Sequence, residues 1–432
     1  MTFDQTVALV VLIAVVAALI HGKARPDVVA LTGAAVLLIT GVIRPVEVQG
    51  AFASPAIIAL ASLFVIAYAM ERSGLLDRMI QTGVRLCRRL GTLGLWLLIG
   101  ACGGASAFLN NTPIVVLGAP VVRDVAQSLE QSPRRFLIPL SYVSILGGGC
   151  TLIGTSTNLL VNDMARSAGQ PTFGLFEITP VGLAIALAGG LYLLLLGPRL
   201  LGGKPAAEAE PEAASPAAHD ASLGDASLFA EHRPLKPWHA GFSLAVFLGV
   251  VVVAALGWAP IAAAAFSGAV LLILTRVISA EQAYRGLRPD ILLLIAGMVV
   301  IGLSLEVSGL AASATGSIVE IIRPLGPTAA MVLLYGLTLL LTEVLSNAAV
   351  AVLLTPVAVA LAESLGVSPR PFMVAVMMAA SAAFATPFGY QTNVLVYQMG
   401  RYSYLDFVRI GTPLNLLTWL VGSLVIPVFF PF

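Results

Sequence analysis

Charged side chains are scarce in this sequence. Lys, Arg, Asp and Glu make up only 10% of its 432 residues, whereas hydrophobic residues make up 58%. A soluble domain carries about 25% charged residues, so the composition excludes a sizeable water-soluble domain. The net charge of +1 indicates no particular charged partner, and we expect no nucleic acid to bind. The composition is that of an all-α polytopic membrane protein.

Cysteine and histidine are also rare. The three cysteines have no metal-binding or disulfide spacing, and neither an HExxH nor a Walker A pattern occurs. The four histidines lie at the ends of apolar runs or in a linker, so a nucleophilic serine would have no base in reach. We therefore predict that the protein is not an enzyme, is not a nucleotide-driven pump and has no cofactor.

Long apolar runs are abundant, and runs of about 17–25 residues indicate membrane spans. They cover residues 4–22, 27–43, 55–72, 176–200, 239–257, 260–278, 289–307 and 408–430. Two pairs of apolar arms surround polar tips, within residues 92–128 and 326–364, and glycines and polar residues interrupt segments 135–165 and 370–399. The Ala-, Pro- and Glu-rich residues 202–237 predict a linker, and the basic stretch 74–90 predicts an interfacial helix.

The two halves, 1–201 and 238–432, are internal repeats. An offset of 235 pairs Gly33 with Gly268 and Thr151 with Thr386, and an offset of 236 pairs Asn111 with Asn347. Each repeat has five spans if its arms form a re-entrant hairpin, so the second repeat is predicted to be inverted. The charge pattern does not distinguish a hairpin from two full spans.

Basic residues predict the orientation in a cell (inner) membrane. When both termini are placed on the outer side and the linker in the cytoplasm, all but four of the 23 Lys and Arg residues are cytoplasmic. This distribution satisfies the positive-inside rule. The four exceptions are Arg44, Arg166, Arg323 and Arg370.

Polar interruptions recur at matching places in the two halves: GGGCTLIGTSTN at 147–158 and TPFGYQTN at 386–393. Unpaired backbone groups in hydrocarbon cost several kcal/mol each, so such breaks are tolerated only where they line a protein-enclosed or watery cavity. Matching breaks in two halves indicate a transporter's substrate site and favour alternating access over a simple channel.

Each tip carries a hydroxyl five residues before an amide: Ser106 before Asn111, and Thr342 before Asn347. Helix N-termini at the tips and breaks attract anions, and free carbonyls suit a hard cation such as sodium. The repeated set predicts two related cation sites. The alternative is that these residues only pack helices and form interhelical hydrogen bonds.

These motifs resemble the divalent anion/sodium symporters of the ion-transporter superfamily, over nearly the whole chain. The tips are Asn110-Asn111-Thr112 and Ser346-Asn347-Ala348, and the unwound helices carry Gly154-Thr155-Ser156-Thr157-Asn158 and Gly389-Tyr390-Gln391-Thr392-Asn393. The resemblance implies an elevator mechanism, in which hairpins and broken helices move against a scaffold, in a homodimer embedded in the lipid bilayer.

The resemblance also implies roles for individual residues. Sodium would bind at two sites, the first made by Ser106, Asn110, Asn111 and Gly154 and the second by Thr342, Ser346, Asn347 and Gly389. A small anion would contact the two tips and the two breaks, at Asn111, Thr112, Thr155, Ser156, Thr157, Asn158, Asn347, Gln391, Thr392 and Asn393.

Departures from the family pattern bear on the substrate. Ala348 stands where dicarboxylate members have threonine, and Ser156-Thr157 and Gln391-Thr392 replace paired prolines. GYQTNVLVY and SNAAVAVLLTP are more similar to the sulfate-permease branch. We therefore expect sodium-coupled symport of a small divalent oxyanion, sulfate first. A C4-dicarboxylate, or arsenite or another weak acid, is an open alternative.

Two carboxylates within the apolar regions remain to be placed. Glu343, close to the second tip, is a possible coupling carboxylate that would carry a proton or help to hold a cation, because such a group is costly unless it is used or paired. It would be the centre of a sodium/proton antiporter, or else a hydrogen-bonded structural carboxylate. Asp163 is expected near the outer surface.

Overall fold

A computed structural model describes residues 1–432 except 22–23, 76–77, 79–89, 202–233, 288, 311–325 and 388. Most of the predicted linker, and most of the basic stretch 74–90, lie outside the described residues. In the described part of the first half the helices are α1 (Phe3–His21), α2 (Pro26–Ile39), α3 (Pro45–Phe52), α4 (Pro55–Arg72), α5 (Thr92–Ser106), α6 (Asn111–Ser128), α7 (Arg134–Gly148), α8 (Ser156–Ser167) and α9 (Thr179–Leu200). In the second half they are α10 (Pro237–Ala255), α11 (Ile261–Leu274), α12 (Ala280–Gly286), α13 (Pro289–Val307), α14 (Gly326–Thr342), α15 (Asn347–Ser364), α16 (Arg370–Ala380), α17 (Gln391–Gly400) and α18 (Tyr404–Phe429).

The described helices follow the same order in both halves. α2 and α11 each have 14 residues, and the repeat offset of 235 relates their first residues, Pro26 and Ile261. α6 and α15 each have 18 residues, and the offset of 236 relates their first residues, Asn111 and Asn347. The predicted arms and interrupted segments correspond to α5–α6, α7–α8, α14–α15 and α16–α17. This order supports the duplication, while the inversion of the second repeat stays a prediction.

Two short helices, α3 and α12, were not predicted. Their first residues, Pro45 and Ala280, are again related by the offset of 235. Before α12, the Ser279 hydroxyl accepts from the Gln282 backbone N–H at 3.2 Å, and Gln282 Oε1 accepts from the Ser279 backbone N–H at 3.2 Å. This reciprocal capping box satisfies two N–H groups at the helix start. Hydropathy does not reveal such helices because they contain no long apolar run.

The helices pack in two groups. α1–α4 and α10–α13 form the framework group, in which α2 packs on α13 and α4 packs on α11. α5–α9 and α14–α18 form the site group, in which α5 packs on α7, α14 packs on α16 and α9 packs on α18. The groups meet where α4 contacts α8 and where α13 contacts α8 and α15.

Five of the described helices are long and apolar enough to cross a membrane by length and composition. They are Pro45–Arg72 (taken as one helix), Thr179–Leu200, Pro237–Ala255, Asn347–Ser364 and Tyr404–Phe429. On α18 one apolar stripe faces outwards, with Leu416, Leu420, Leu424 and Val428 between 56% and 73% exposed. Exposed leucines in such a stripe are typical of a helix in contact with lipid.

Repeat-related arginines link the broken helices to α18 and α9. Arg134, at the start of α7, pairs with Asp406 at 2.5 Å and lies over the Tyr402 ring at 5.2 Å. Arg370, its repeat counterpart at the start of α16, pairs with Glu177 and lies over the Phe173 ring at 4.3 Å. Both arginines contact the other half of the chain, so each pair ties the two halves of the site group together.

We predict that Gly103→Ala lowers the apparent unfolding temperature in detergent, whereas Gly104→Ala does not. A Cβ at Gly103 would lie 2.6 Å from Val143 Cγ1 and 2.9 Å from the Val143 carbonyl oxygen, where α5 crosses α7. A Cβ at Gly104 meets no atom within 4 Å. Overpacking of this kind costs about 1–3 kcal/mol, and thermal unfolding of the two variants side by side measures it. Equal unfolding temperatures would contradict the described α5–α7 contact.

Candidate functional site

The first tip, residues 107–112, joins α5 to α6 and includes the first two residues of α6. The Ser106 hydroxyl donates to Asn111 Oδ1, so the predicted hydroxyl–amide pair is in contact. Asn110 is the N-cap of α6, and its Oδ1 accepts from the Thr112 backbone N–H at 3.2 Å. Ser106 and Asn111 are both almost completely buried. The first tip therefore places oxygen atoms inside the site group.

The first break, residues 149–155, separates α7 from α8, and Thr151 organises its backbone. The Thr151 hydroxyl donates to the Ala107 carbonyl of the first tip and accepts from the Gly154 backbone N–H at 3.2 Å. Asn158 Nδ2 donates to the Thr151 carbonyl at 3.0 Å. The first of these bonds holds the break against the first tip, and the other two fix the backbone of the break itself.

The second break, residues 381–390 between α16 and α17, repeats the arrangement. The Thr386 hydroxyl donates to the Glu343 carbonyl of the second tip at 3.2 Å and accepts from the Gly389 backbone N–H at 3.1 Å. Asn393 Nδ2 lies 3.4 Å from the Thr386 carbonyl and donates to the Ala383 carbonyl at 2.9 Å. The same threonine–glycine–asparagine spacing therefore gives the same local structure in both halves.

Carbonyl oxygens converge around Gly154. A Cβ added there would lie 2.5 Å from the Gly148 carbonyl oxygen and 2.7 Å from the Ala107 carbonyl oxygen. A Cβ added at Gly148 would lie 2.6 Å from Asn111 Oδ1. A residue with a side chain does not fit at Gly154 or Gly148, because its Cβ would lie within 2.7 Å of one of these oxygens. A cluster of neutral oxygens is the ligand set that a hard cation prefers.

The second tip, residues 343–348, includes the first two residues of α15 and has a matching cluster around Asn347. The Asn347 side-chain amide lies 2.9 Å from the Thr342 hydroxyl. When its nitrogen faces that hydroxyl, Nδ2 donates to Thr342 Oγ1 and to the carbonyls of Ala380 (3.2 Å) and Gly389 (3.3 Å). The orientation follows from the hydrogen-bond network. Three oxygens thus surround one position, which either a donor N–H or a cation satisfies. Ser346 caps α15 through the Ala349 backbone N–H at 3.3 Å.

Glu343 distinguishes the second cluster from the first. Its Oε1 accepts from the backbone N–H groups of Phe384 (2.9 Å) and Ala385 (2.8 Å) and from Asn415 Nδ2 (2.6 Å). Its Oε2 is buried, has no hydrogen-bond partner among the described residues, and lies 3.5 Å from the Cβ position of Gly389. The repeat counterpart of Glu343, at an offset of 236, is Ala107. The second cluster therefore has a carboxylate where the first has none.

Hydrogen bonds across the repeats bring the two halves of the site together. Asn111 Nδ2 donates to the Tyr390 hydroxyl at 2.8 Å, and the Thr112 hydroxyl donates to Gln391 Oε1 at 3.3 Å. On α7, the Ser141 hydroxyl lies 2.8 Å from Thr392 Oγ1 and 2.7 Å from Asn393 Oδ1. The first tip and the second break are thus in direct contact, as one site built from both halves requires.

Other predicted residues lie nearby. Ser156, Gly154 and Asn110 line a 30 Å³ cavity between the first tip and α4. Thr157 is buried at the start of α8, whereas Ser346 is exposed. Asp163 pairs with Arg166 at 3.5 Å and accepts from the Ser54 hydroxyl at 2.6 Å, beside a separate 440 Å³ cavity.

Sequence reasoning gave no role to several residues of the site: Thr151, Thr386, Ser141, Tyr390 and Asn415. The first two were visible as a repeated pair, and their constant spacing to the glycine and asparagine was the signal. Ser141, Tyr390 and Asn415 had no such signal, because their partners are 251, 279 and 72 residues away.

The chain is similar to transporters over nearly its whole length. It is 26% identical to an uncharacterized transporter (sll0640) of Synechocystis, over 93% of each chain. It is 25% identical to the sodium-dependent dicarboxylate transporter SdcS of Staphylococcus saprophyticus, over 89% of this chain and 78% of that protein. A sodium/sulfate cotransporter of Chlamydomonas reinhardtii is 35% identical over 37% of this chain and 18% of its own length.

The fold has a counterpart among solved structures. The YdaH transporter of Alcanivorax borkumensis superposes with a TM-score of 0.59 at 16% identity, over 88% of this chain and 86% of that one. The citrate transporter (CitMHS) family matches residues 10–366, which is most of the chain. The resemblance to the anion/sodium symporters is thereby confirmed, and the protein, an integral membrane transporter, belongs to the citrate transporter (CitMHS) family.

Proposed function

We propose that the protein is a secondary active transporter that couples sodium to the uptake of a small divalent oxyanion, with sulfate favoured. The observation that carries this proposal is the repeated oxygen cluster at each tip and break. Both clusters are built from hydroxyl, amide and carbonyl oxygens, and the tips and breaks contain no Lys or Arg. An anion at such a site needs bound cations and helix N-termini for its charge balance.

In this proposal the two clusters are the sodium sites. The first uses Ser106, Asn111 and the carbonyls around Gly154. The second uses Thr342, the carbonyls of Ala380 and Gly389 and, with its amide oxygen instead of its nitrogen turned towards them, Asn347. The carboxylate of Glu343 adds a full negative charge to the second. The anion lies at the starts of α6, α8, α15 and α17. Sodium and the anion bind together because each offsets the charge of the other.

The movement proposed is an elevator. The site group would carry both tips and both breaks against the framework group, within a homodimer of two inverted repeats. Among the described helices the contacts between the groups run mainly through α4–α8, α13–α8 and α13–α15, which supports a sliding interface. The proposed setting is the inner membrane, with both termini outside and the linker in the cytoplasm.

Two other functions follow from specific observations. A C4-dicarboxylate or citrate substrate is favoured by the CitMHS match and by the similarity to SdcS. Against it, Ala348 lacks the hydroxyl that a threonine would provide at the second tip. Sodium/proton antiport is favoured by Oε2 of Glu343, which is buried and has no hydrogen-bond partner in the part of the chain that the structure describes.

Uptake of labelled sulfate into proteoliposomes tests the function directly. We expect uptake to require an inward sodium gradient and to be inhibited by thiosulfate, but not by succinate, citrate or arsenite. Liposomes without protein are the control. Inhibition by succinate or citrate would replace sulfate by a carboxylate substrate. Sodium-driven proton movement without anion uptake would contradict symport and favour the antiporter.

The asparagines of the tips test the site. We expect Asn111→Ala and Asn347→Ala each to reduce uptake by about 100-fold or more, because each removes a cation ligand and leaves buried oxygens without a partner. Gln170→Ala is the matched amide control, since Gln170 bonds only to the exposed Glu363 carboxylate among the described contacts of its side chain. Uptake like that of the unaltered protein in both asparagine variants would contradict the site.

The charge of Glu343 can be removed with little change in shape. We expect Glu343→Gln to raise the sodium concentration for half-maximal uptake by about tenfold, because the second cluster loses the carboxylate that distinguishes it from the first. Glu281→Gln, on the exposed start of α12, is the control. The measurement is sulfate uptake over a sodium series. An unchanged half-maximal sodium concentration in the Glu343 variant would show that the carboxylate only holds the second break.

A further inference from the structure

A hydrogen bond between Ser54 and Asp163 crosses from the framework group to the site group. Ser54 lies immediately before α4, and its hydroxyl donates to Asp163 Oδ2, on α8, at 2.6 Å. Ser54 is 4% exposed and Asp163 is 5% exposed. Asp163 also pairs with Arg166 of its own helix at 3.5 Å. A buried carboxylate of one group therefore accepts a hydrogen bond from a buried hydroxyl of the other group.

The repeat counterparts of these two residues are arranged differently. At an offset of 235 they are Pro289, whose side chain has no donor, and Gln398. Both counterparts are exposed. The helices differ in the same way, because α8 contacts α4 and α13 of the framework group, whereas the main contacts of its counterpart α17 among the described helices are with α6 and α7. The contact between the two groups is therefore asymmetric, although the two halves are repeats.

An asymmetric contact is what one end position of the proposed elevator would show. Two inverted repeats exchange their roles when the site group moves from one side of the membrane to the other. In the other end position, α17 would then approach the framework group and α8 would leave it. The Ser54–Asp163 bond would form only in the first of these positions, because Pro289 cannot replace Ser54 as a donor.

Other contacts between the groups are apolar and allow sliding. Where α13 meets α8 and α15, a Cβ at Gly302 would lie 2.7 Å from Met164 Cε and 3.1 Å from Val352 Cγ1. Apolar contacts are non-directional, so one set can be exchanged for another as helices slide. A hydrogen bond requires a defined distance and angle, so a movement of a few ångströms breaks it. The Ser54–Asp163 bond is therefore specific to one position in a way that the apolar contacts are not.

A cavity of 440 Å³ beside Asp163 makes this bond reversible. Both groups line it, with Pro55 and Ala59 on α4 and Asn162 and Arg166 on α8. A carboxylate that loses its donor in an apolar interior is strongly destabilised. A polar cavity of this size can admit water, which would replace the lost hydroxyl, and the pairing with Arg166 is not affected. The bond can therefore open and close without leaving the carboxylate unsolvated.

We infer that the Ser54–Asp163 bond is a latch between the framework group and the site group, which stabilises one end position and opens each time the site group moves. This inference rests on the elevator movement of the proposed function. Because the acceptor is ionised, the bond is stronger than one between neutral groups. Its strength is present in one position only, so it shifts the ratio of the two positions.

Spin labels on the two groups test the latch. Tyr284 on α12 of the framework group and Gln127 on α6 of the site group are both exposed. The labels are attached to Tyr284→Cys and Gln127→Cys in lipid nanodiscs with sodium chloride and no anion substrate, and protein without these two changes gives the background from native cysteines. Pulsed distance measurements should show two populations, of which one matches the distance in the structure.

We expect Ser54→Ala to shift the ratio of the populations by about tenfold away from the position that matches the structure, because a hydrogen bond to a charged group is lost. Asp163→Asn should shift it in the same direction, and Ser54→Thr, which keeps the hydroxyl, should restore it. Ser62→Ala is the matched control, since Ser62 is a buried serine of α4 whose hydroxyl donates within its own helix, to the Ile58 carbonyl at 2.7 Å.

The outcomes separate the latch from the function on which it rests, because the populations are measured without substrate. If the unaltered protein takes up sulfate and Ser54→Ala leaves the ratio within twofold, the latch is overturned and the proposed function stands. A single population in the unaltered protein and in every variant also overturns the latch. If the unaltered protein takes up neither sulfate nor succinate and Ser54→Ala shifts the ratio, the proposed substrate fails and the latch stands.

Discussion

Everything in the site depends on the way two helices are broken inside an apolar protein. A break leaves backbone N–H and C=O groups without helical partners, and each costs several kcal/mol if it stays unpaired. Thr151 and Thr386 each meet this requirement with one hydroxyl, which donates to a tip carbonyl and accepts from a glycine N–H. Other side chains complete the first break: the Thr179 hydroxyl donates to the Cys150 carbonyl at 2.7 Å, and Asn158 donates to that of Thr151.

The same bonds explain why each tip lies next to its own break. Ala107 and Glu343 provide the tip carbonyls that the threonines bind, so the hairpins cannot move independently of the broken helices without losing those bonds. Oxygens of the tips and broken helices surround Gly154 in one half and Gly389 in the other. In the proposed function each cation site is thus a by-product of satisfying the backbone, which would explain why the breaks and the hydroxyl–amide pairs occur together.

Much of this could be predicted from the sequence because it is local and repeated. The Ser106–Asn111 and Thr342–Asn347 contacts could be predicted from a five-residue spacing that recurs in both halves, where the last residue of one helix meets the first residue of the next. The breaks could be predicted from polar residues within apolar runs. Contacts across the repeats could not be predicted, because spacing along the chain does not show which residues of one half lie next to which residues of the other. The bond of Asn415 to Glu343 and that of Tyr390 to Asn111 belong to this class. The short α3 and α12 were missed because their stability comes from capping rather than from an apolar run.

The central claim is that the two repeat-related oxygen clusters bind sodium and that the anion binds with it. Equilibrium binding of labelled sulfate to the purified protein, measured over a series of sodium concentrations at constant ionic strength with choline, tests this most directly. We expect negligible binding in choline alone and an affinity that rises with roughly the second power of sodium concentration, because two sites must fill. A sulfate affinity that is the same in sodium and in choline would contradict the claim.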